Sequence, residues 1–385
     1  MTSCLATVIF TASTLQSARF VLIDAGMKLL HASYCLATAA STVVAGTVAY
    51  TSSIPQNLTW NLLPTNSNEQ FRGLSSVTDD VVWVAGTTGT VLRSTNSGVT
   101  WSNVSPTFAP PEDPSDVSFR DIQAWSVHHA VVLSIGMGNA SRIYRTQNGG
   151  KSWDLTFINE DEQAFYDCMA FEKNSPDHGI ALSDPVDGRF RLLETWDGGK
   201  SWKILDTNGT MPPALEGEFA FAASGTCIEA AAGRWYFATG GVSPGRIFRS
   251  KDPYKSWQVS NSSIAGGAAA GVFSVRFRDA KNGIAVGGDY EKPTANSKSA
   301  AWSHDGGSSW REAESFPGGY RSGVSWVPGR RDVAIAVGTS GSDITIDAGR
   351  NWKSIGSGTF DAVECSSRVT CWASGSGGRV ARLKL

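Results

Sequence analysis

The chain has 385 residues and a formal net charge of −2, with 33 Lys and Arg against 35 Asp and Glu. That balance, without any Lys/Arg run, excludes the basic face that nucleic-acid binding needs. Length alone allows two or three domains or a single repeat domain, while 41 glycines, 14 tryptophans and short β-rich runs broken by Gly, Asn, Asp and Ser predict an all-β chain.

Residues 1–50 are apolar, rich in small residues and almost uncharged. From Met27, "MKLLHASYCLATAASTVVAGTVAY" opens with Lys28, continues apolar and reaches small residues at Val44, Ala45 and Gly46. That layout predicts a secretory signal peptide over 27–46, with 1–26 a gene-model extension ahead of it. The rival is a membrane anchor, since 29–49 lacks Asp, Glu, Lys and Arg. Its many Ala, Ser and Thr residues make it only weakly hydrophobic. Cleavage leaves a secreted, extracellular chain off the membrane. Five N-x-Ser/Thr sequons, at Asn57, Asn103, Asn139, Asn208 and Asn261, suit an exported glycoprotein. Four cysteines follow the leader. "CSSRVTC" can close a disulfide between Cys365 and Cys371 across a tight hairpin, leaving Cys168 and Cys227 as the other pair by elimination. The alternative is four buried free thiols.

Beyond residue 57 one octet recurs. "STNSGVTW" ends at Trp101, "TQNGGKSW" at Trp153, "TWDGGKSW" at Trp202, "SKDPYKSW" at Trp257, "SHDGGSSW" at Trp310 and "TIDAGRNW" at Trp352. The spacings of 52, 49, 55, 53 and 42 residues are those of a structural repeat. Each period opens with a Phe-led or apolar run, such as "FRGLSSV", "FRDIQAW", "FYDCMAF", "FAFAASG" or "FSVRFRD". A small apolar run such as "VVWVAG" or "VAIAVG" follows. A third run leads into the octet, and the octet's Trp begins a fourth. Four strands per unit make a propeller blade; solenoid units are shorter and carry fewer strands. After Trp352 three strands remain, "FDAVECSS", "TCWASGS" and "RVARLKL", while "LTWNLLP" around Trp60 is a lone strand near the start. Joined, they complete a seventh blade and leave no free sheet edge. The predicted fold is a seven-bladed β-propeller over 57–385 with six octet turns, closed by an N-terminal strand.

These octets resemble the BNR/Asp-box repeat family, which includes sialidases, other glycoside hydrolases and sortilin-type receptors. The resemblance spans 57–385. Within that family, "RGLSSVTDDVVWVAGTTGTVLRSTNSGVTW" and its repetition look most like the photosystem II stability/assembly factor-like propellers. Similar chains often carry the label oxidoreductase, yet no strand-linked G-x-G-x-x-G supports a nicotinamide or flavin, and no cofactor is expected. The octet needs no catalytic explanation. Asn96, Asn148, Asp197, Asp252, Asp305 and Asp347 can accept turn N–H groups, glycine permits positive φ, and the Trp can bury a large surface between blades. A Ca²⁺ loop would need several alternating oxygen ligands and a distal Glu. In "SKDPYKSW", Tyr254 replaces the glycine, which predicts an altered turn.

Function is expected where the repeat is broken, at the channel mouth. The mouth is lined by segments leading into the first strands and by turns from second to third strands. The blade-three turn "SDPVDGRF" groups Asp184, Asp187 and Arg189, and blade five carries the long "GGDYEKPTANSKS" with Asp289 and Tyr290. Leading segments contribute Arg72, Arg120, Tyr166, Asp167, Glu218, Tyr320 and Arg321. Their near-equivalent positions predict convergence on the axis, where arginines with carboxylates and tyrosines suit an anionic or hydroxyl-rich ligand. The competing reading pairs them with one another, Arg120 with Asp167 for example. A sialidase does not fit, because Arg72 is followed by Gly73 rather than by the Arg-Ile-Pro phrase and seven blades is not the sialidase count. Neither H-E-x-x-H nor CxxC occurs, so no metal is expected. The leading expectation is a monomeric binding or assembly-scaffold module for a glycan or protein ligand. The alternative is a carbohydrate-active hydrolase or lyase drawing acid and base from Asp167, Asp184, Glu218, Asp289 and Tyr290.

Overall fold

The computed structural model describes residues 57–108, 113–251 and 256–385. The expected extension, signal peptide and anchor, together with Asp252 and Tyr254 of the fourth octet, lie outside the described residues. Within them, 28 strands form seven four-stranded antiparallel sheets. β1 (Trp60–Leu63) precedes the first complete blade, which holds β2 (Phe71–Ser76), β3 (Val82–Gly86), β4 (Val91–Ser94) and β5 (Ser102–Asn103). Blade 2 holds β6 (Ser118–Ala124), β7 (Ala130–Ile135), β8 (Arg142–Thr146) and β9 (Asp154–Ile158). Blade 3 holds β10 (Tyr166–Glu172), β11 (Ser175–Val186), β12 (Arg189–Thr195) and β13 (Lys203–Leu205). Blade 4 holds β14 (Ile228–Ala231), β15 (Arg234–Ala238), β16 (Arg246–Lys251) and β17 (Ser256–Asn261). Blade 5 holds β18 (Ala270–Phe277), β19 (Gly283–Asp289), β20 (Ala300–Ser303) and β21 (Arg311–Glu312). Blade 6 holds β22 (Gly323–Trp326), β23 (Ala334–Gly338), β24 (Gly341–Thr345) and β25 (Lys353–Gly356). Blade 7 holds β26 (Ala362–Cys365), β27 (Thr370–Ser374) and β28 (Val380–Lys384), with β1 paired to β28 from Trp60 opposite Leu383 to Leu63 opposite Val380.

First strands of successive blades adjoin one another all the way round, β26 meeting β2, so the sheets form a ring. The chain is a seven-bladed β-propeller closed by its N-terminal strand. Second strands such as β3, β7, β23 and β27 are buried at every residue, because each blade packs a neighbour on both faces.

One device ties blade to blade near the axis. Ser75 Oγ accepts from Ala124 N, Asp121 Oδ2 from Met169 N, Glu229 Oε2 from Phe277 N, Ser274 Oγ from Val324 N, Ser325 Oγ from Cys365 N, and Glu364 Oε2 from Ser76 N. Each is an inner-strand side chain reaching the next blade's inner-strand amide. Between blades 3 and 4 the Cys168–Cys227 disulfide takes that place. The second disulfide, Cys365–Cys371, crosses directly opposed positions of the β26–β27 hairpin, Cα atoms 3.8 Å apart. Both pairings match the sequence expectation.

The octets link blades on the outside. In "TWDGGKSW", Thr195 Oγ1 donates to Asp197 Oδ1 (2.8 Å) and accepts from Gly199 N (3.0 Å), while Asp197 Oδ1 also accepts from Ser201 N (3.0 Å). The same bonds recur at Ser94/Asn96, Thr146/Asn148, Ser303/Asp305 and Thr345/Asp347. The arginine before the octet reaches the fourth octet carbonyl of the next blade: Arg93 to Gly149 (2.8 Å), Arg145 to Gly198 (2.8 Å) and Arg249 to Gly306 (3.0 Å); Arg382, in the third strand of the octet-free blade 7, does the same to Ser97 (3.4 Å). Each octet Trp packs into the apolar cluster shared with the preceding blade, as Trp257 does beside Phe190 and Phe237.

Blade 4 departs from the predicted pattern. "FAFAASG" does not open its first strand, which starts only at Ile228. Phe219 still bridges Gly240, but residues 220–226 leave the sheet and cross the mouth of the channel. Ala220 N donates to Asp184 Oδ1 (2.8 Å) and Ser224 Oγ to Ser322 O (2.8 Å); Thr226 Oγ1 donates to Ser274 Oγ (2.7 Å). Arg72 and Arg120 grip the carbonyls of Ala223 and Ala222. Gly225 (φ +67°) permits this path, since a Cβ there would lie 2.3 Å from Asp121 Oδ1. One short segment therefore touches blades 1, 2, 3, 5 and 6, with Cys227 anchoring its end.

Candidate functional site

The expected convergence on the axis is only partly realised. Arg72 and Arg120 do meet, but on the crossing segment: Arg120 Nη1 lies 2.9 Å from Ala222 O, and Arg72 Nη2 lies 3.9 Å from Asp361 Oδ1. Burial, with the Arg72 charge, lowers the Arg120 guanidinium to about 10. The suggested Arg120–Asp167 ion pair is absent among the described residues; the two interact through charge alone. Arg321 turns away into its own blade, where Asp343 Oδ2 holds its Nε at 2.6 Å. Glu218 is likewise held within blade 4: Arg246 Nε (2.8 Å) and Nη2, Thr239 Oγ1 (2.6 Å) and Leu215 N (2.9 Å) all bond its carboxylate.

Tyr166 is buried against Phe157 at 5.3 Å, and burial raises its hydroxyl. Tyr320 is also buried, edge-on to Phe273 at 4.7 Å, and burial raises it too. Phe273 in turn stacks on Phe221 of the crossing segment (3.7 Å). Tyr290 stays 48% exposed at the rim of this aromatic group. Asp289 accepts from Glu291 N (2.9 Å) and pairs with Lys292 (3.4 Å), closing its own loop. Asp184 lies at a bulge within β11, not in the turn that "SDPVDGRF" suggested; the turn is Asp187-Gly188, both at positive φ.

Asp167 and Asp184 are the pair the fold brings together. Asp167 is 1% exposed and its Oδ2 has no hydrogen-bond partner among the described residues. Burial, then the neighbouring Asp184 charge, pushes its carboxyl well above the usual range. Burial raises Asp184 to about 6, opposed by the Ala220 N–H.

Beside this pair an open groove of about 540 Å³ runs between blades 2, 3 and 4. Its apolar lining includes Met137, Phe165, Pro185, Leu215 and Phe219, with Met137 55% and Leu215 50% exposed. Its charged lining is Asp184, Glu216 and Glu218. Sequence reasoning missed Met137 and Leu215, and the partners Arg246, Asp343 and Asp361. Two signals were present. "GMGNAS" and "GGVSPGR" also break the plain second-to-third-strand turn, and Arg246 and Asp343 both stand early in third strands, across from the leading segments.

No family model matches the chain, and no curated protein matches it significantly. Solved propellers do. A structure described as YCF48 bound to D1 peptide aligns with a TM-score of 0.58 at 13% identity, covering 85% of this chain and 95% of that one. YCF48 from Cyanidioschyzon merolae aligns at 0.56 and 15% identity, covering 84% and 98%. The WD40 repeats of RRP9 align at 0.60 and 12% identity, covering 85% and 97%. At these identities the likeness is one of fold.

Proposed function

We propose that the protein is a non-catalytic propeller that holds an extended segment of a protein partner on the face bearing the channel mouth. The observation that carries this reading is the groove with exposed Met137 and Leu215 beside a mouth crossed by residues 220–226. A rigid ring presenting an apolar groove with a few polar groups is a ready receptor for a peptide. The neighbour described as YCF48 bound to D1 peptide supports a peptide ligand by analogy of fold. A glycan gripped by arginines finds less support, because Arg72, Arg120 and Arg321 are all engaged internally. A hydrolase needs two reachable carboxyl groups across one bond. Glu218 is bound by Arg246, Asp167 is buried and Asp289 faces Lys292.

We also read the octets as Asp-box repeats, supported by the hydroxyl–Asx–amide bond set that recurs in five of them. Export is proposed too, supported by two disulfides and by exposure of all five sequon asparagines. The functional reading is tested by panning a displayed peptide library and a glycan array against the full chain. Enriched peptides that lose binding to Leu215→Ser are expected. Glycan binding without peptide binding, or turnover of a polysaccharide, would replace this reading.

A further inference from the structure

The groove is one-signed. Every charged side chain that lines it is acidic: Asp184, Glu216 and Glu218. Glu218 is neutralised by Arg246 within its own blade. Asp184 uses one oxygen, Oδ1, to accept from Ala220 N, and Oδ2 has no hydrogen-bond partner among the described residues. Beneath the surface Asp167 adds a second carboxyl whose Oδ2 has no partner among the described residues. The cation acting on Asp167 is Arg120 of blade 2, whose Nη1 donates to Ala222 O. Among the described residues Asp184 therefore has no cation paired with it, next to exposed Met137 and Leu215. A buried carboxylate without a partner is costly, and a charged donor placed on it is worth more than one in water.

We propose that Asp184 is the selectivity residue of this groove: it seats a lysine or arginine of the bound segment, whose apolar neighbours lie on Met137, Phe165, Leu215 and Phe219. The inference rests on the protein-binding reading above and adds the class of residue recognised. Sequence distance hides this arrangement, since the apolar walls come from the β7–β8 turn, the loop before β10 and the stretch from Leu215 to Phe219.

A cation at Asp184 favours its ionised form. Burial raises Asp184 to about 6, so binding near that pH releases a proton, and affinity rises as pH increases from about 5 to about 7. The other titratable and charged groups nearby are Asp167 beneath it, the Glu218–Arg246 pair of blade 4, Arg120 of blade 2 and Glu216 at the groove rim.

The test uses the full chain and two labelled apolar hexapeptides, one with a central lysine and one with norleucine there. Fluorescence anisotropy is expected to show the lysine peptide binding ~10-fold tighter, the scale of a charge-assisted hydrogen bond. Asp184→Asn should keep the Ala220 acceptor and the fold, checked by near-UV circular dichroism, and abolish the preference. Equal affinity for both peptides that is lost in Leu215→Ser would overturn the lysine site and leave the protein-binding groove standing. A lysine preference that survives Asp184→Asn would also overturn it. Binding of neither peptide would remove both readings.

Discussion

Arg321 and Asp343 form an ion pair enclosed within blade 6. Their side chains are 1% and 2% exposed, with Nη2 2.5 Å from Oδ2. Arg321 Nη1 also donates to Tyr320 O (2.7 Å) and Ser340 Oγ (2.9 Å). A residue that sequence position offered as a ligand contact is thus part of the scaffold. Removing one partner of such a pair leaves a buried charge uncompensated and costs about 3–5 kcal/mol. Arg321→Ala should therefore lower the denaturation midpoint sharply. Arg321→Met with Asp343→Leu should cost much less than Arg321→Ala, by chemical denaturation. Equal losses would show that the pair is not the source of the effect.

The two disulfides should differ in weight. Cys168–Cys227 spans 59 positions and Cys365–Cys371 spans 6. Loop-closure entropy assigns the first about 4 kcal/mol and the second about 2 kcal/mol. The first also replaces the amide bond found at other blade interfaces and anchors the crossing segment. Cys168→Ser with Cys227→Ser is expected to shift the urea midpoint more than the double replacement at Cys365 and Cys371. The reverse order would contradict this assignment.

Stability should fall as pH rises from acid toward neutral. Burial raises Asp121 and Glu229 to about 7, although Met169 N, Phe277 N and Arg276 oppose it, and burial raises Glu364 as well. For a raised carboxyl the native state holds a proton that the unfolded chain releases near pH 4. The stabilisation is therefore full below about pH 4 and is lost by about pH 7. Asp197 and Asp279 act oppositely: hydrogen bonds outweigh burial and hold both at about 2, so their contribution is lost only in stronger acid. Scanning calorimetry should give a higher Tm at about pH 5 than at about pH 8. A Tm that climbs over that interval would refute the assignment.

The octet carboxylate should tolerate amide but not methyl. Asn96 and Asn148 make the same turn bonds as Asp197. Asp197→Asn is expected to change stability by less than about 0.5 kcal/mol, and Asp197→Ala to cost about 1 kcal/mol through lost turn bonds on an exposed loop. Peptide binding should be unaffected by either. A loss of binding in Asp197→Asn would move the site to the octets.

Glycosylation follows if the chain is exported. Asn57, Asn103, Asn139, Asn208 and Asn261 are exposed. Expression through a eukaryotic secretory route should yield a chain whose mass falls on amidase treatment, with Asn converted to Asp at one or more of the five. An unchanged mass would argue against modification.

The strand grammar was legible because it repeats. Six octets in phase located third and fourth strands, and the unmatched strands at Trp60 and after Trp352 forced the seventh blade. Blade 4 was misread because "FAFAASG" has the composition of an inner strand. Composition does not record that Asp184, Arg72 and Arg120 offer its backbone better partners across the channel than its own sheet does. The candidate arginines were found by equivalence of position, and equivalence says nothing about which acceptor lies within reach.

The sequence by itself determined the ring, because periodic apolar runs and turn chemistry act over a few residues and are written locally. Tertiary structure alone decided which charges are free. Arg321 and Glu218 are consumed by Asp343 and Arg246 from other strands, while Asp184 keeps an oxygen that no cation among the described residues pairs with. A charge is available to a ligand only when no internal partner lies within a few ångströms, and that distance is set by packing between segments far apart in the chain.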